Sequence, residues 1–139
     1  MGCFYRSFYI HGPEKRLVIG DNSVIAGGCI VNTRSGRVTI GDNCQIANGC
    51  LLLTGLHLID HNEKARRPAV PDAGRDILIG DHVWIGSGSI IVGFCHIPND
   101  CVVQAGSVCT GRYDPKSMIG NQRAVSKRLI QGGYDGSLD

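Results

Sequence analysis

Residues 77–91 read ILIGDHVWIGSGSII, and in this stretch an isoleucine returns at every sixth position, as at Ile79, Ile85 and Ile91. Internal periods of this kind are typical of solenoids, in which stacked repeats share one core. The step of six extends over most of the chain, and every position in its main phase is apolar. The other members of that phase are Ile19, Ile25, Val31, Ile40, Ile46, Leu52, Ile97, Val103 and Cys109.

Each hexad predicts a short strand followed by a tight turn. The position two residues before the apolar one is mostly small, and residues two apart point to the same side of a strand. Residues 19–22 and 40–43 both read IGDN, which suits a chain reversal after the strand. An α-helix is excluded because its period is about 3.6 residues, and a hairpin sheet would need longer strands.

Three hexads would complete one triangular coil, so the chain predicts an all-β parallel helix of about four stacked coils. The composition agrees, since 20 of 139 residues are glycine and only 6% are aromatic. The period is interrupted by a short corner loop centred on 34–36 and by a longer excursion near 53–76. In a solenoid such an insertion often marks the binding face. We therefore expect the functional residues near the longer insertion.

The length of 139 residues predicts a single domain. We divide it into an N-terminal lead-in over 1–16 and a hexapeptide-repeat β-helix over 17–112, into which the loop at 53–76 is inserted. A C-terminal extension with a short cap helix is predicted over 113–131, followed by a flexible tail at 132–139. A cap helix would cover the open end of the last coil.

The cysteines and the charge balance argue against several classes of protein. The seven cysteines are odd in number and contain no CxxC pair, which indicates reduced thiols. A net charge of +2 gives no reason to expect a nucleic-acid or membrane-surface partner. No signal peptide or membrane span is recognisable, so we expect a cytoplasmic protein. Six cysteines occupy inward positions as small hydrophobes rather than as nucleophiles or metal ligands: Cys29, Cys44, Cys50, Cys95, Cys101 and Cys109.

Three motifs resemble the hexapeptide-repeat acyltransferases: IGDHVWIGS at 79–87, QAGSVCT at 104–110 and IGN at 119–121. Over about residues 17–130 the chain is similar to galactoside and maltose acetyltransferases and to polysaccharide O-acetyltransferases. The resemblance implies a left-handed parallel β-helix, a homotrimer, and acetyl-CoA bound between adjacent subunits with no metal required. A flat apolar wall favours an oligomer independently, because a second copy can bury it.

The segment TGLHLID around His57 resembles the loop that carries the catalytic histidine of this family. A thioester donor is already activated, so the reaction needs a base for the acceptor hydroxyl and donors for the oxyanion. The resemblance assigns the base to His57, with His61 as the competing candidate. His82 occupies a turn position and is predicted to be structural, His96 is predicted to face outward, and His11 precedes the repeat.

For the acyl donor, the resemblance implies contacts from Ser87, Ala105 and Thr110. Trp84 either lines the same cleft or supports the coil. The phosphates of CoA are assigned to basic residues at the C-terminal end, with Lys127 as the first choice. Further basic candidates are Arg112, Arg123 and Arg128.

The chain departs from the family pattern at several positions. The lysine that often follows the threonine is replaced by Gly111, and residues 120–124 read GNQRA where GNPAR is usual. The family's N-terminal helical segment, which helps to bind the acceptor, is not found. Asn32 is the nearest candidate for the asparagine that orients the acceptor. A basic cluster in the excursion is either a solvated surface or a contact for an anionic acceptor: Lys64, Arg66 and Arg67.

The sequence therefore predicts an acetyl-CoA-dependent acetyltransferase that acts on a hydroxyl or amine of a sugar or another small molecule. Two alternatives stay open. One is a γ-carbonic-anhydrase-like enzyme that holds zinc with three histidines from neighbouring subunits, although His57, His61 and His82 do not reproduce the spacing. The other is a non-catalytic trimeric β-helix scaffold.

Overall fold

The computed structural model describes residues 7–57 and 70–120, which form a left-handed parallel β-helix. Most strands have two or three residues, as the hexads require, and one 3₁₀ turn spans Glu14–Arg16. The strands are β1 (Tyr9–His11), β2 (Leu17–Ile19), β3 (Val24–Ile25), β4 (Ile30–Asn32), β5 (Val38–Ile40), β6 (Gln45–Ile46), β7 (Leu51–Leu53), β8 (Ile77–Ile79), β9 (Trp84–Ile85), β10 (Ile90–Ile97), β11 (Val102–Val103), β12 (Val108–Arg112) and β13 (Met118–Ile119).

The strands stack into three faces of a triangular prism, and each pairing is parallel. Face A has the order β3-β6-β9-β11-β13. Face B consists of β1, β4, β7 and the first parts of β10 and β12, whereas face C consists of β2, β5, β8 and the second parts of β10 and β12. The chain passes from face C to A to B in each coil. We name the corners C–A, A–B and B–C accordingly.

The core lies inside the prism and is built from aliphatic rungs with small residues between them. Ile46, Ile85 and Val103 are fully or almost fully buried in successive strands of face A. The six inward cysteines are free and buried, which confirms the prediction for them. Burial raises the pKa of the Cys95 thiol to about 12, so this thiol stays protonated at neutral pH and packs as a hydrophobe.

The C–A corner repeats one tight turn in successive coils. The backbone N–H of Asp21 donates to Oδ1 of Asp42 at 2.7 Å, and the N–H of Asp42 donates to Oδ1 of Asp81 at 2.8 Å. Asn43 and His82 occupy equivalent left-handed positions at φ 56° and 55°. Asparagine tolerates this conformation better than most residues, and His82 takes its place, which confirms the predicted turn position of His82.

The B–C corner is where the chain departs from the regular turn. Both predicted insertions lie here: the corner loop at 34–36 follows β4, and the excursion begins after β7 and returns to β8. The N-terminal lead-in contributes strand β1 to face B. The predicted cap helix and tail lie outside the described residues from position 121 onward. In the ranges 7–57 and 70–120 there is no helix of sufficient length and apolar character to cross a membrane.

Candidate active site

The excursion that carries His57 leaves the prism from a fixed anchor. Thr54 is fully buried directly after β7, and both its N–H and its Oγ1 donate to the carbonyl of Asn32, at 3.1 and 2.8 Å. The N–H of Ser35 donates to Oγ1 of the same threonine at 3.1 Å. The imidazole of His57, three residues further on, is exposed. The loop is therefore held at its base, and the histidine projects from the B–C corner.

Asn32 shares this corner with His57. It pairs in register with Leu53 of β7, and its Oδ1 accepts a hydrogen bond from the N–H of Arg34 at 2.8 Å. A Cβ on Gly55 would lie 2.6 Å from Nδ2 of Asn32, so glycine is what allows the chain to pass over this amide. The structure thus brings the asparagine candidate, Asn32, to the same corner as the predicted base.

A cavity of about 440 Å³ opens at the B–C corner, and we call it the corner cavity. Its described lining contains two histidines, one arginine and one asparagine, and carries no carboxylate. The residues are His11, Asn32, Arg34, Leu53, Gly55, Leu56, His57 and Val70.

Sequence reasoning missed His11 and Arg34 as members of this site. His11 precedes the first hexad, but it pairs in register with Asn32 and so belongs to the same column of the prism. The signal was present in the segment 9–11, which already reads as a short strand. Arg34 belongs to the corner loop, and no local pattern tied that loop to the excursion.

An ion-pair cluster holds the returning part of the excursion against the corner. Oδ1 of Asp72 accepts from Nη1 of Arg34 at 2.8 Å, and Oδ2 accepts from Nη2 of Arg16 at 3.2 Å. Nη1 of Arg16 also lies within hydrogen-bond distance of the carbonyls of Thr33, Arg34 and Asp72. The guanidinium of Arg16, followed by that of Arg34, lowers the pKa of the Asp72 carboxyl. The cluster therefore keeps this carboxylate ionised.

Ser87, Ala105 and Trp84 lie at or beside the A–B corner, and we call them the A–B cluster. Ser87 and Ala105 are exposed in turns of adjacent coils, where the N–H of Gly106 donates to the carbonyl of Ser87 at 3.0 Å. Trp84 points outward from face A, where it pairs in register with Gln45 of β6 and Val102 of β11. It is 55% exposed. The three side chains predicted to contact the donor are thus close together.

Thr110 lies at the B–C corner, apart from that cluster. Its N–H donates to Oη of Tyr113 at 3.1 Å, and its Oγ1 donates to the carbonyl of Phe94 at 3.5 Å. The guanidinium of Arg112 lies 4.7 Å from the centroid of the Phe94 ring. Because β7 and β12 pair with β10 from opposite sides, their corner ends are about 10 Å apart. Thr110 and the loop of His57 therefore share one corner.

The outer surface of face B separates the two groups of site residues. One row of outward side chains on this face is entirely apolar and continuous in register. The face is about 13 Å wide, so the A–B cluster and the corner cavity of one chain do not meet directly. The row consists of Tyr9, Ile30, Leu51, Ile90 and Val108.

The remaining predictions concern metal and phosphate ligands. His57 and His82 lie at different corners of the prism, B–C and C–A. Across the described ranges no group of three histidine, cysteine, aspartate or glutamate side chains could hold a metal ion. His61 and Lys127 lie outside the described residues.

Comparisons with known families and structures agree with this architecture. The family model described as bacterial transferase hexapeptide (six repeats) matches residues 76–111, and the hexapeptide repeat of succinyl-transferase matches 37–53. The fold is similar to a maltose O-acetyltransferase from Clostridium difficile 630, with 28% identity over 79% of this chain and 59% of that one, at a TM-score of 0.63. No curated protein sequence matches the chain significantly.

Two further solved structures share the fold. A hexapeptide-repeat acetyltransferase from Vibrio cholerae is 25% identical over 84% of this chain and 64% of that one, at a TM-score of 0.65. The N-acyltransferase AntD from Bacillus cereus, solved with an amino-sugar nucleotide and coenzyme A, is 20% identical over 85% of this chain and 74% of its own, at a TM-score of 0.55. At that identity, the likeness to AntD shows the fold alone.

The chain contains hexapeptide repeats, and its resemblance to the hexapeptide-repeat acyltransferases is confirmed. It spans 59% and 64% of the lengths of the first two acetyltransferases it matches. The fold and the hexapeptide repeats are therefore established.

Proposed function

We propose that this protein transfers an acetyl group from acetyl-CoA to a hydroxyl or amine of a small molecule such as a sugar, with His57 as the general base. The observation that carries the proposal is that His57 and Asn32 line one open cavity at the corner that Thr110 shares. The similarity at 28% identity to a maltose O-acetyltransferase supports the same chemistry.

The reaction moves one proton from the acceptor to the leaving thiolate by way of His57, and it needs no covalent enzyme intermediate. The acceptor oxygen attacks the thioester carbonyl carbon while the imidazole of His57 takes the hydroxyl proton. The tetrahedral intermediate then collapses, the carbon–sulfur bond breaks, and the CoA thiolate leaves with the proton returned by the imidazolium. A neutral imidazole is the major form of histidine near pH 7, which suits this role. Asn32 is proposed to orient the acceptor through its amide.

The A–B cluster is proposed to contact acetyl-CoA. Next to it, Gly88 and Gly106 have φ of 71° and 73°, and a Cβ placed on either would meet nothing within 4 Å. The tips of these turns therefore face open space, which suits an extended ligand running along the corner. Thr110 is proposed to contact the donor from the B–C corner, and Lys127 to contact the CoA phosphates.

A homotrimer would join the two groups of site residues. Burying the apolar row of face B around a threefold axis would bring the A–B corner of one chain next to the B–C corner of its neighbour. Face A of the first chain, which carries Trp84, would then form one wall of the cleft, opposite the corner cavity of the second. The width of face B, about 13 Å, is the reason that we propose a shared site, since each edge of face B holds only part of it.

The proposal is tested by following the release of free thiol from acetyl-CoA with a panel of sugars and amino sugars. We expect His57→Ala to lower kcat by about a hundredfold to ten-thousandfold, because a general base contributes that much. The matched control is His82→Asn, which places at the C–A corner the residue that Asn43 already provides one coil earlier. This variant should retain full turnover.

Calorimetry with acetyl-CoA separates the enzyme from the scaffold alternative. Wild type and His57→Ala should bind acetyl-CoA equally, because the histidine acts on the acceptor. Failure of the wild type to bind acetyl-CoA at millimolar concentration would favour the scaffold. Full turnover of His57→Ala would remove the assigned base.

A further inference from the structure

We infer that the acceptor carries an anionic group, a carboxylate or a phosphate, and that Arg34 binds this group beside His57. The inference rests on the proposed function and names the substrate class of that same site. It is drawn from the charge balance of the corner cavity and from the way in which Arg34 is held.

The ion-pair cluster of Arg16, Arg34 and Asp72 carries a net positive charge. One carboxylate, that of Asp72, is shared between two guanidinium groups, which leaves one positive charge in excess. Arg16 is committed to the fold because it also reaches three backbone carbonyls. The excess charge is therefore available at Arg34, which lines the corner cavity. The described part of that lining adds two histidines and no carboxylate.

Arg34 is held in position, and part of its guanidinium stays accessible. Its backbone is fixed on both sides, because its N–H donates to Oδ1 of Asn32 at 2.8 Å and its carbonyl accepts from Nη1 of Arg16 at 3.0 Å. Its guanidinium donates from Nη1 to Asp72, a bond that occupies one branch of the planar fork. The side chain is 43% exposed, so the rest of the fork remains accessible to a ligand. A charged donor that is already oriented binds an anion at low entropic cost.

The bond to Asp72 does not by itself account for a second arginine at this corner. Arg16 already holds both the carboxylate and the backbone carbonyl of Asp72, so the returning limb is fixed without a second arginine. The pair of Arg34 with Asp72 is exposed on the Asp72 side at 75%, and ion pairs of that kind contribute little to stability. A ligand-binding role accounts for the second arginine, and an arginine fork fits carboxylate and phosphate oxygens alike.

An anion bound to Arg34 would lie within reach of a sugar that also contacts His57. Arg34 and His57 line the same cavity of about 440 Å³, which has room for one sugar unit. His11 lies in register with Asn32, on the opposite side of the cavity floor from Gly55. A sugar acid or sugar phosphate could therefore place its anion on Arg34 while it presents a hydroxyl to His57.

The test is direct binding to the full chain, measured by calorimetry at physiological salt. Glucose 6-phosphate, glucuronate and glucose serve as probes, because they share one ring and differ in the anion. We expect wild type to bind one or both anionic probes at least about tenfold more tightly than glucose. The comparison of the two anions decides between phosphate and carboxylate.

The decisive variant is Arg34→Gln, for which we expect a loss of about tenfold to a hundredfold in affinity for the anionic probe. Arg34→Lys should retain part of the preference, because the charge stays and the fork is lost. The matched control is Arg37→Gln, since Arg37 belongs to the same corner but lines a separate cavity with Asp76. Thermal unfolding of each variant checks that the fold is intact.

The inference would be overturned if wild type bound all three probes equally or bound neither anion. An anion preference that survives in Arg34→Gln would also overturn it. The thiol-release assay keeps the two proposals apart. Anion binding through Arg34 without any acetyl transfer would uphold the inference and reject the transferase. Acetylation of neutral sugars with no advantage for anionic ones would do the reverse.

Discussion

The C–A and B–C corners of the prism connect strands of the same kind in opposite ways. At the C–A corner, successive coils reverse through equivalent turns. The side chains of Asp42 and Asp81 each accept a backbone N–H from the preceding coil. At the B–C corner, three successive coils pass through a 3₁₀ turn, a corner loop and a long excursion, and the next one passes within the continuous strand β10. The uniform corner stabilises the stack, and the variable corner holds the cavity. The repeated stacking contacts and the candidate site of this fold therefore lie at different corners.

The largest effect is expected from a charge on the outer surface of face B. Ile30→Asp should abolish the proposed trimer and lower kcat/KM by at least about a hundredfold, because a carboxylate is costly to bury in an apolar interface without a partner. Sedimentation and thiol release measure the two effects. The control is Val18→Asp on face C, since Val18 is 43% exposed and Ile30 is 40% exposed. A trimer that tolerates Ile30→Asp would show that face B is not the interface.

The next effect compares the same substitution at both corners. In Gly41→Ala the new Cβ would lie 2.6 Å from the carbonyl oxygen of Gly80, and backbone there cannot move aside. We expect a loss of about 1–3 kcal/mol in the free energy of unfolding, with catalysis by the folded protein unchanged. Chemical denaturation and initial rates measure both quantities.

In Gly55→Ala the new Cβ would meet the Asn32 side chain instead, which can rotate away. We therefore expect little change in unfolding free energy but a fall of about tenfold in kcat/KM, because the amide that orients the acceptor is displaced. If both glycine variants lost stability and neither lost catalysis, the proposed separation between the corners would be wrong.

The smallest effect concerns pH and the ion-pair cluster. The pKa of Asp72 is lowered from 3.8 by its two arginine partners, so the folded chain binds this proton more weakly than the unfolded chain does. The stabilisation is present above about pH 4 and is lost as the pH falls through the lowered value. Thermal unfolding of wild type and Asp72→Asn from pH 7 to pH 2 should show curves that converge only at the acid end. Curves that are parallel throughout would contradict this assignment.

The fold was predictable because its signal is local and repeated. The phase of six that joins Ile79, Ile85 and Ile91 also fixes which side chains point inward, and the structure buries the last two fully. The two insertions were visible as breaks in that phase. The position of His57 beside a cavity followed from its place at the start of the longer break.

The rest of the site depends on contacts that no spacing reveals. The bond between Arg34 and Asp72 joins positions 38 residues apart across a segment without a pattern. His11 enters the site because its strand adds a coil before the first hexad. The distribution of Ser87 and His57 over two corners follows only once the three faces are laid out, because each hexad advances the chain by one face.

The closing turn after β12 has a consequence for how copies of this chain can associate. After Thr110, Gly111 and Arg112 of β12 pair with Cys95 and His96 on face C. The N–H of Tyr113 donates to the carbonyl of His96 at 3.2 Å, and the N–H of Lys116 donates to the carbonyl of Asn99 at 3.1 Å. These bonds satisfy carbonyls of the preceding coil, so the outermost backbone of this wall is the segment that follows Thr110. Between Arg112 and Met118 this segment forms no strand and includes Pro115, which has no backbone N–H, so it is a poor template for a further strand stacked end to end.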